Sequence, residues 1–164
     1  MKLESLRELL IEELQDIYSA ENMILSALPK MVEEASSPEL RNAFNEHLQQ
    51  THGHVQRLDQ IFDQIPDVDR KGRKCKGMEG IIKDAKDLLS EDAEPEVLNA
   101  GMIAGAQRVE HYEIAAYGTA RTYAELLGRD NWAQLLQQTL DEEKETDAKL
   151  TKLAERINLE AKAA

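Results

Sequence analysis

The chain has a single cysteine, Cys75, in 164 residues, which excludes an intrachain disulfide and makes a reducing, cytoplasmic setting the expectation. Proline is scarce, with only Pro29, Pro38, Pro66 and Pro95, so long helices can run between them. Basic residues are outnumbered: 20 Lys and Arg face 32 Asp and Glu. The net charge of −12 disfavours nonspecific nucleic-acid binding through the overall field. No uninterrupted apolar run approaches membrane-spanning length, so no membrane segment is expected. Met1-Lys2-Leu3-Glu4 brings an acid into the first turns without an apolar h-region, so a secretory signal is not expected either. No strand pattern, internal repeat, Gly-rich phosphate loop or Ser-His-Asp grouping is discernible.

What is present is helical periodicity. Leu3, Leu6, Leu10, Leu14, Ile17, Ile24, Leu28 and Met31 step by threes and fours, predicting an amphipathic helix to Glu34. Ser37-Pro38 can cap and open a second helix to about Ile65, with Leu40, Phe44, Leu48, Val55, Leu58 and Phe62 inward. Residues 67–94 are polar and glycine-punctuated, with a short helix expected over Met78–Leu89. That stretch is long enough to travel the length of a bundle. A third long helix is expected over Glu96–Leu127 and a fourth over Asn131–Ile157. Between them Gly128 can take the left-handed C-terminal position and Asp130 can cap the fourth helix. The pattern is all-α: a ferritin-like four-helix bundle with a long crossover that carries a short extra helix. One domain is expected over residues 1–160, with 161–164 as a frayed tail.

Acidic residues interrupt these apolar stripes in a regular way. Glu21 occupies the stripe position between Ile17 and Ile24, and Glu143 interrupts the fourth helix, with Asp147 one turn later. Glu110 and Glu113 lie one turn apart on a segment apolar around most of its circumference. Glu21 stands 15 residues before Ser36, and His52 stands 15 after Ser37, so antiparallel neighbours would place them at one level. Glu113 and Glu143 are likewise near-equidistant from the turn at Gly128-Arg129-Asp130. Glu21, His52, Glu110, Glu113 and Glu143 are therefore expected to converge at the bundle midpoint, with Asp147 close by. Carboxylates gathered in an apolar interior are untenable without a cation. Carboxylate and imidazole ligands suit iron or manganese, and also zinc. Two divalent ions would balance the four glutamates, as in carboxylate-bridged dimetal bundles. His47, His54 and His111 are read as non-ligands.

Several runs together carry a family resemblance. They are Tyr18-Ser19-Ala20-Glu21, His47-Leu48-Gln49-Gln50-Thr51-His52-Gly53, Cys75-Lys76-Gly77-Met78-Glu79-Gly80, Val109 to Gly118 and Glu142-Glu143-Lys144. With the helix order, they resemble the YciE/YciF family of bacterial ferritin-like proteins over nearly the whole chain. The resemblance implies a ferritin-like bundle, a homodimer, association with bacterial stress responses and iron binding. Relatives commonly carry Glu where this chain has Gln49, which would complete a Glu-x-x-His pair with His52.

Two functions stand as rival expectations. One is a dimetal oxidoreductase in which two irons, or manganese, reduce O2 or peroxide, as a ferroxidase or a peroxide-removing enzyme. The other is a structural or stress-related interaction protein whose metal site is relict or only braces the fold, a reading that Gln49 favours. Singly, Glu21 and Glu143 each have a bland alternative as an edge-of-core or ion-paired residue, with Arg108 or Arg121 as partners. Glu110 and Glu113 could instead bond Tyr18, Tyr112 or Tyr117. Tyr18, Tyr112, Tyr117 and Tyr123 are read as packing residues with hydrogen-bonded hydroxyls. The basic run Arg70 to Lys76 reads as a solvated loop, because no aromatic residues interleave with it. Cys75, between two lysines, is open to two readings, a reactive thiol or a buried anchor.

Overall fold

Leu6–Glu34 forms α1, the first rod of a computed structural model that describes residues 3–164. Met1 and Lys2, half of the expected signal-free N-terminal stretch, lie outside the described residues. The remaining helices are α2 (Pro38–Phe62), α3 (Lys76–Leu89), α4 (Pro95–Leu126) and α5 (Asp130–Ala163), and no strand occurs among the described residues. α1 starts where Ser5 accepts a hydrogen bond from the Glu8 backbone N–H at 3.3 Å, while Glu8 accepts from the Glu4 N–H. This reciprocal cap satisfies donors that the first turn would otherwise leave exposed. Ser37 caps α2 in the same way ahead of Pro38.

Three local expectations need correction. Asp130 is the first residue of α5 and not its cap; Arg129 holds the cap position without a side-chain bond. Gly128, at φ 66°, provides the left-handed turn between α4 and α5. α3 begins at Lys76, ahead of Met78, because the Cys75 thiol accepts from the Met78 N–H at 3.3 Å and serves as the cap. α5 continues to Ala163, so residues 161–163 extend the helix in place of the expected frayed tail.

The four long helices form a square in which α1 packs on α2 and α4, and α5 packs on α2 and α4. α3 lies across α1 and α4. At Gly77 this contact is so close that a Cβ would stand 2.7 Å from the Tyr112 ring. The apolar residues fall into two clusters, one at each end of the bundle. The first joins Leu10 to Tyr18, Leu58 to Ile65, Tyr117 to Ala124 and Trp132 to Leu140. The second joins Ala20 to Ala35, Leu40 and Phe44, Met102 to Ala106, and Leu150 and Ile157, with Cys75 and Met78 from the crossover. α2 and α4 both run from the second cluster to the first, so they are parallel, as a crossover connection requires. Leu14 is wholly buried in the first cluster, and Leu14→Ala is expected to lower unfolding stability by ~2–5 kcal/mol in urea titration, with the fold retained.

Candidate metal centre

Between the two apolar clusters lies a polar layer. Glu21 from α1, His47 and His54 from α2, Glu110 and Glu113 from α4, and Glu143 from α5 all sit there, each at most 3% exposed. Helix geometry explains the gathering. α2 buries Leu40, Phe44, His47, Thr51, His54, Leu58 and Ile61, an unbroken sequence of three- and four-residue steps. Both imidazoles therefore stand on the inward stripe, two turns apart. Glu110 and Glu113 share the inward face of α4 one turn apart.

The ligand atoms form two overlapping groups. One atom from each of His47, Glu110, Glu113 and Glu143 lies within 4.8 Å of the others, and so does one from each of Glu21, His54 and Glu143. Glu143 belongs to both. His47 Nδ1 is 3.2 Å from Glu110 Oε1, and its Nε2 is 3.8 Å from Glu143 Oε2. His54 Nδ1 is 3.2 Å from Glu21 Oε1 and 2.9 Å from Glu143 Oε1. Those two approaches attract electrostatically but are misaligned for hydrogen bonding, so Nδ1 has no partner.

Ten buried side-chain nitrogen and oxygen atoms lack a hydrogen-bond partner among the described residues. Nine of the ten belong to this layer: both oxygens of Glu110, Glu113 and Glu143, Glu21 Oε2, His47 Nε2 and His54 Nδ1. A buried polar atom without a partner costs ~1–3 kcal/mol, and more when charged. So many orphans at one point fit a missing electrophile better than they fit a protein network. The donor set agrees: four carboxylates and two imidazoles are hard and intermediate ligands suited to iron, manganese or zinc. Two dications would match the charge of the four glutamates.

The titration of the layer shows the same strain. Burial, then the Glu143 charge, holds Glu110 and Glu113 protonated well above the usual carboxyl range. Burial also raises Glu21, against the opposing pull of His54. For Glu143 burial acts upward too, but the His54 imidazole beside it prevails and lowers it to about 2. Burial acts downward on His54, yet the Glu21 and Glu143 carboxylates bring it up to about 10. Burial lowers His47. Protons and one imidazolium thus do the neutralising in the metal-free chain.

Behind the layer, partners fix the ligands. Tyr117 Oη donates to Glu21 Oε1, and His54 Nε2 donates to Glu142 Oε2 at 2.9 Å. Arg57 grips Glu142 with both terminal nitrogens, at 2.9 and 2.6 Å. An imidazole whose Nε2–H is held by a carboxylate turns its Nδ1 inward, the orientation a metal ligand needs.

Of the residues expected at the centre, Glu21, Glu110, Glu113 and Glu143 are brought together. His52 is not; it is exposed. The expected height holds, since Thr51 lies in the layer, but the expected facing does not. Leu48 and Val55, which orient the stripe in the sequence, are only half-buried residues at its edge. His52 is two residues from His54, which rotates it about 200° around the helix. Asp147 lies close enough for its charge to act on Glu110 but belongs to neither ligand group: it is half-buried, accepts from Gln107 Nε2 at 3.1 Å and lies 3.3 Å from His111. Gln49 is exposed, so the amide there removes no ligand from this centre. The sequence reading misses His47 and His54, although the 40-44-47-51-54-58-61 spacing contains them. His52→Ala and Gln49→Glu are both expected to leave bound metal per chain unchanged by elemental analysis, whereas His54→Ala lowers it.

The tyrosine alternative for the paired acids does not hold: Tyr117 reaches Glu21, and both oxygens of Glu110 and Glu113 remain without partners. Three of the five cations in the basic run Arg70 to Lys76 are held in internal ion pairs. Arg70 binds Asp59 and Asp63, Arg73 binds Glu12 and Asp16, and Lys74 binds Glu79. Cys75 is fully buried, 3.0 Å from Tyr112 Oη, and burial raises its thiol, so it is an anchor for the crossover. Tyr112 in turn donates to Asp16 at 2.7 Å.

Known proteins match this chain closely. A family model described as a domain of unknown function, DUF892, covers residues 5–163. Protein YciF of Escherichia coli strain K12 is 44% identical over 154 residues, spanning 94% of this chain and 93% of that protein. The crystal structure of the E. coli stress protein YciF superposes with a TM-score of 0.90 at 43% identity, covering 94% of this chain and 98% of the other. YcfI from Rhodopseudomonas palustris superposes at 0.87 with 41% identity, covering 92% and 95%. A Xanthomonas campestris protein at 21% identity shares the fold, with a TM-score of 0.71 over 94% of both chains. A family match from end to end and a relative of this identity leave one assignment: the chain belongs to the DUF892 family, the YciF-like helical-bundle proteins.

Proposed function

We propose that the polar layer binds two divalent cations, iron first and manganese as the alternative, and that the protein is a dimetal oxidoreductase reducing O2 or peroxide. The carrying observation is the pair of overlapping ligand groups that share Glu143 amid nine partnerless atoms. Glu143 is the bridging candidate, with His47, Glu110 and Glu113 on one side and Glu21 and His54 on the other. Bound iron would supply the reducing electrons. The chain's own residues do the rest. Glu142 and Arg57 hold His54 in the ligating orientation, Tyr117 holds Glu21, and the apolar clusters above and below keep bulk water out. Glu142, with its side chain 30% exposed, keeps the Nε2–H of His54 on the solvent side of the layer, so that Nδ1 is the nitrogen offered to a cation.

A stress-related role is inferred from likeness to the E. coli protein, and a homodimer and a cytoplasmic site complete the reading. No helix among the described residues is long and apolar enough to cross a membrane. The test is anaerobic titration of the metal-free protein with Fe(II), then exposure to O2 and, separately, to peroxide. Two irons per chain and their oxidation over repeated cycles are expected. Two bound irons with no turnover would support the rival, a metal that only braces the fold. Absence of binding would remove the oxidoreductase and leave the rival with a relict site. Light scattering of the same sample tests the dimer.

A further inference from the structure

A second feature leads to the same centre from outside. α3 does not seal fully against α1 and α4; a narrow cleft remains between them. Ala27, Ile82 and Ala85 line its half-buried part, Ile24, Leu28 and Met31 wall it further in, and His47 and Glu110 are its polar end. Apart from those two ligands, every side chain along it is apolar. It offers about 30 Å³ to the centre of a water-sized molecule, where one water requires ~10–15 Å³. Two or three heavy atoms fit and an organic substrate does not.

We infer that this cleft is a gas passage, and that the oxidant reaching the centre through it is dioxygen and not peroxide. This rests on the reading of the layer as a metal centre. A charged species would be stripped of water with nothing in return, and a hydrogen-bonding one such as peroxide or water would lose its bonds along the walls. Dioxygen has none to lose. At the His54 end of the layer the partly exposed side chains are the charged Glu142 and Arg57, a surface that suits ions better than an apolar gas. Gly105 and Ala85 face each other across the cleft: a Cβ on Gly105 would stand 3.8 Å from the Ala85 Cβ, in ordinary van der Waals contact, so a side chain added there begins inside the cleft.

The passage is tested first on the metal-free protein, by methyl relaxation in solution under dissolved oxygen. Ile24, Leu28 and Ile82 methyls are expected to relax several-fold faster than those of Leu14 and Leu136, which are buried in the other cluster. In Gly105→Leu that excess disappears; Ala85→Leu, from the opposite wall, serves if the first variant misfolds. Equal relaxation at all five residues overturns the passage, whatever the metal does. The second arm loads Fe(II). Gly105→Leu should slow oxidation by O2 about tenfold while the Fe(II) bound and the rate with peroxide stay at the wild-type level. Equal slowing with both oxidants, or with neither, overturns the choice of dioxygen. A wild type that binds no Fe(II) overturns the metal reading instead, while the relaxation data still decide whether gas enters.

Discussion

Glu143→Ala is expected to abolish binding of both cations at once, with a loss of affinity beyond the ~10–100-fold that removing a supporting group costs. Glu143 is the one side chain common to the two ligand groups, so no other single change should empty both. Glu21→Gln should remove one ion and leave the other, because Glu21 serves only the group with His54. Glu113→Gln should do the reverse. Calorimetric titration with Mn(II), which avoids oxidation, reads the stoichiometry directly. A Glu143→Ala protein that still binds one ion would show that the groups are independent sites and that nothing bridges them. Folding of that variant is checked by its helical circular dichroism, since removing Glu143 leaves His54 facing Glu21 and Glu142 and does not unpair it altogether.

The metal-free protein should lose stability as pH rises from mildly acidic towards alkaline values, and metal should remove the trend. Glu21, Glu110 and Glu113 have folded-state pKa values raised above the ordinary carboxyl value. The folded chain therefore binds more protons than the unfolded chain over that range, and the sign of linkage makes stability fall with increasing pH. Each such group costs up to about 1.4 kcal/mol per pH unit between its unfolded and folded values. His54, raised to about 10, acts in the same direction: its contribution is complete below the ordinary histidine value and is lost as pH passes through 10. Glu143, lowered to about 2, acts oppositely, but only in acid, where its contribution fades as pH falls towards 2. Dications replace these protons, so the melting temperature gained on adding Mn(II) should grow between pH 5.5 and 8. At a hundredfold excess over Kd, one ion adds about 2.7 kcal/mol, or roughly 5–11 °C for a chain of this size. A gain independent of pH would mean that the added ions bind elsewhere.

The fold and the acidic part of the centre are legible in the sequence for the same reason. A long amphipathic helix writes its inward face as a period, so an acid on that face stands out against apolar neighbours, as Glu21 does between Ile17 and Ile24. Counting from a turn then gives its height. α2 shows the limit of this. Its stripe is weakly apolar, with Thr51, His47 and His54 among eight buried residues from Leu40 to Ile61. Leu48 and Val55, flanking the true stripe, pull the apparent face round to His52. Height depends on residue counting alone and survives. Azimuth needs a strong hydrophobic contrast, and α2 lacks it.

The sequence alone, then, determined the all-α bundle, its crossover and the level at which four glutamates meet, because these depend on spacing along each helix and on turn position. The tertiary structure decided which imidazoles face the layer, that Glu143 is shared, that Asp147 and Gln49 stand aside, and that α3 leaves a cleft down to Glu110. Those depend on how each rod is rotated about its axis and how closely its neighbours approach, and packing among all five helices sets both.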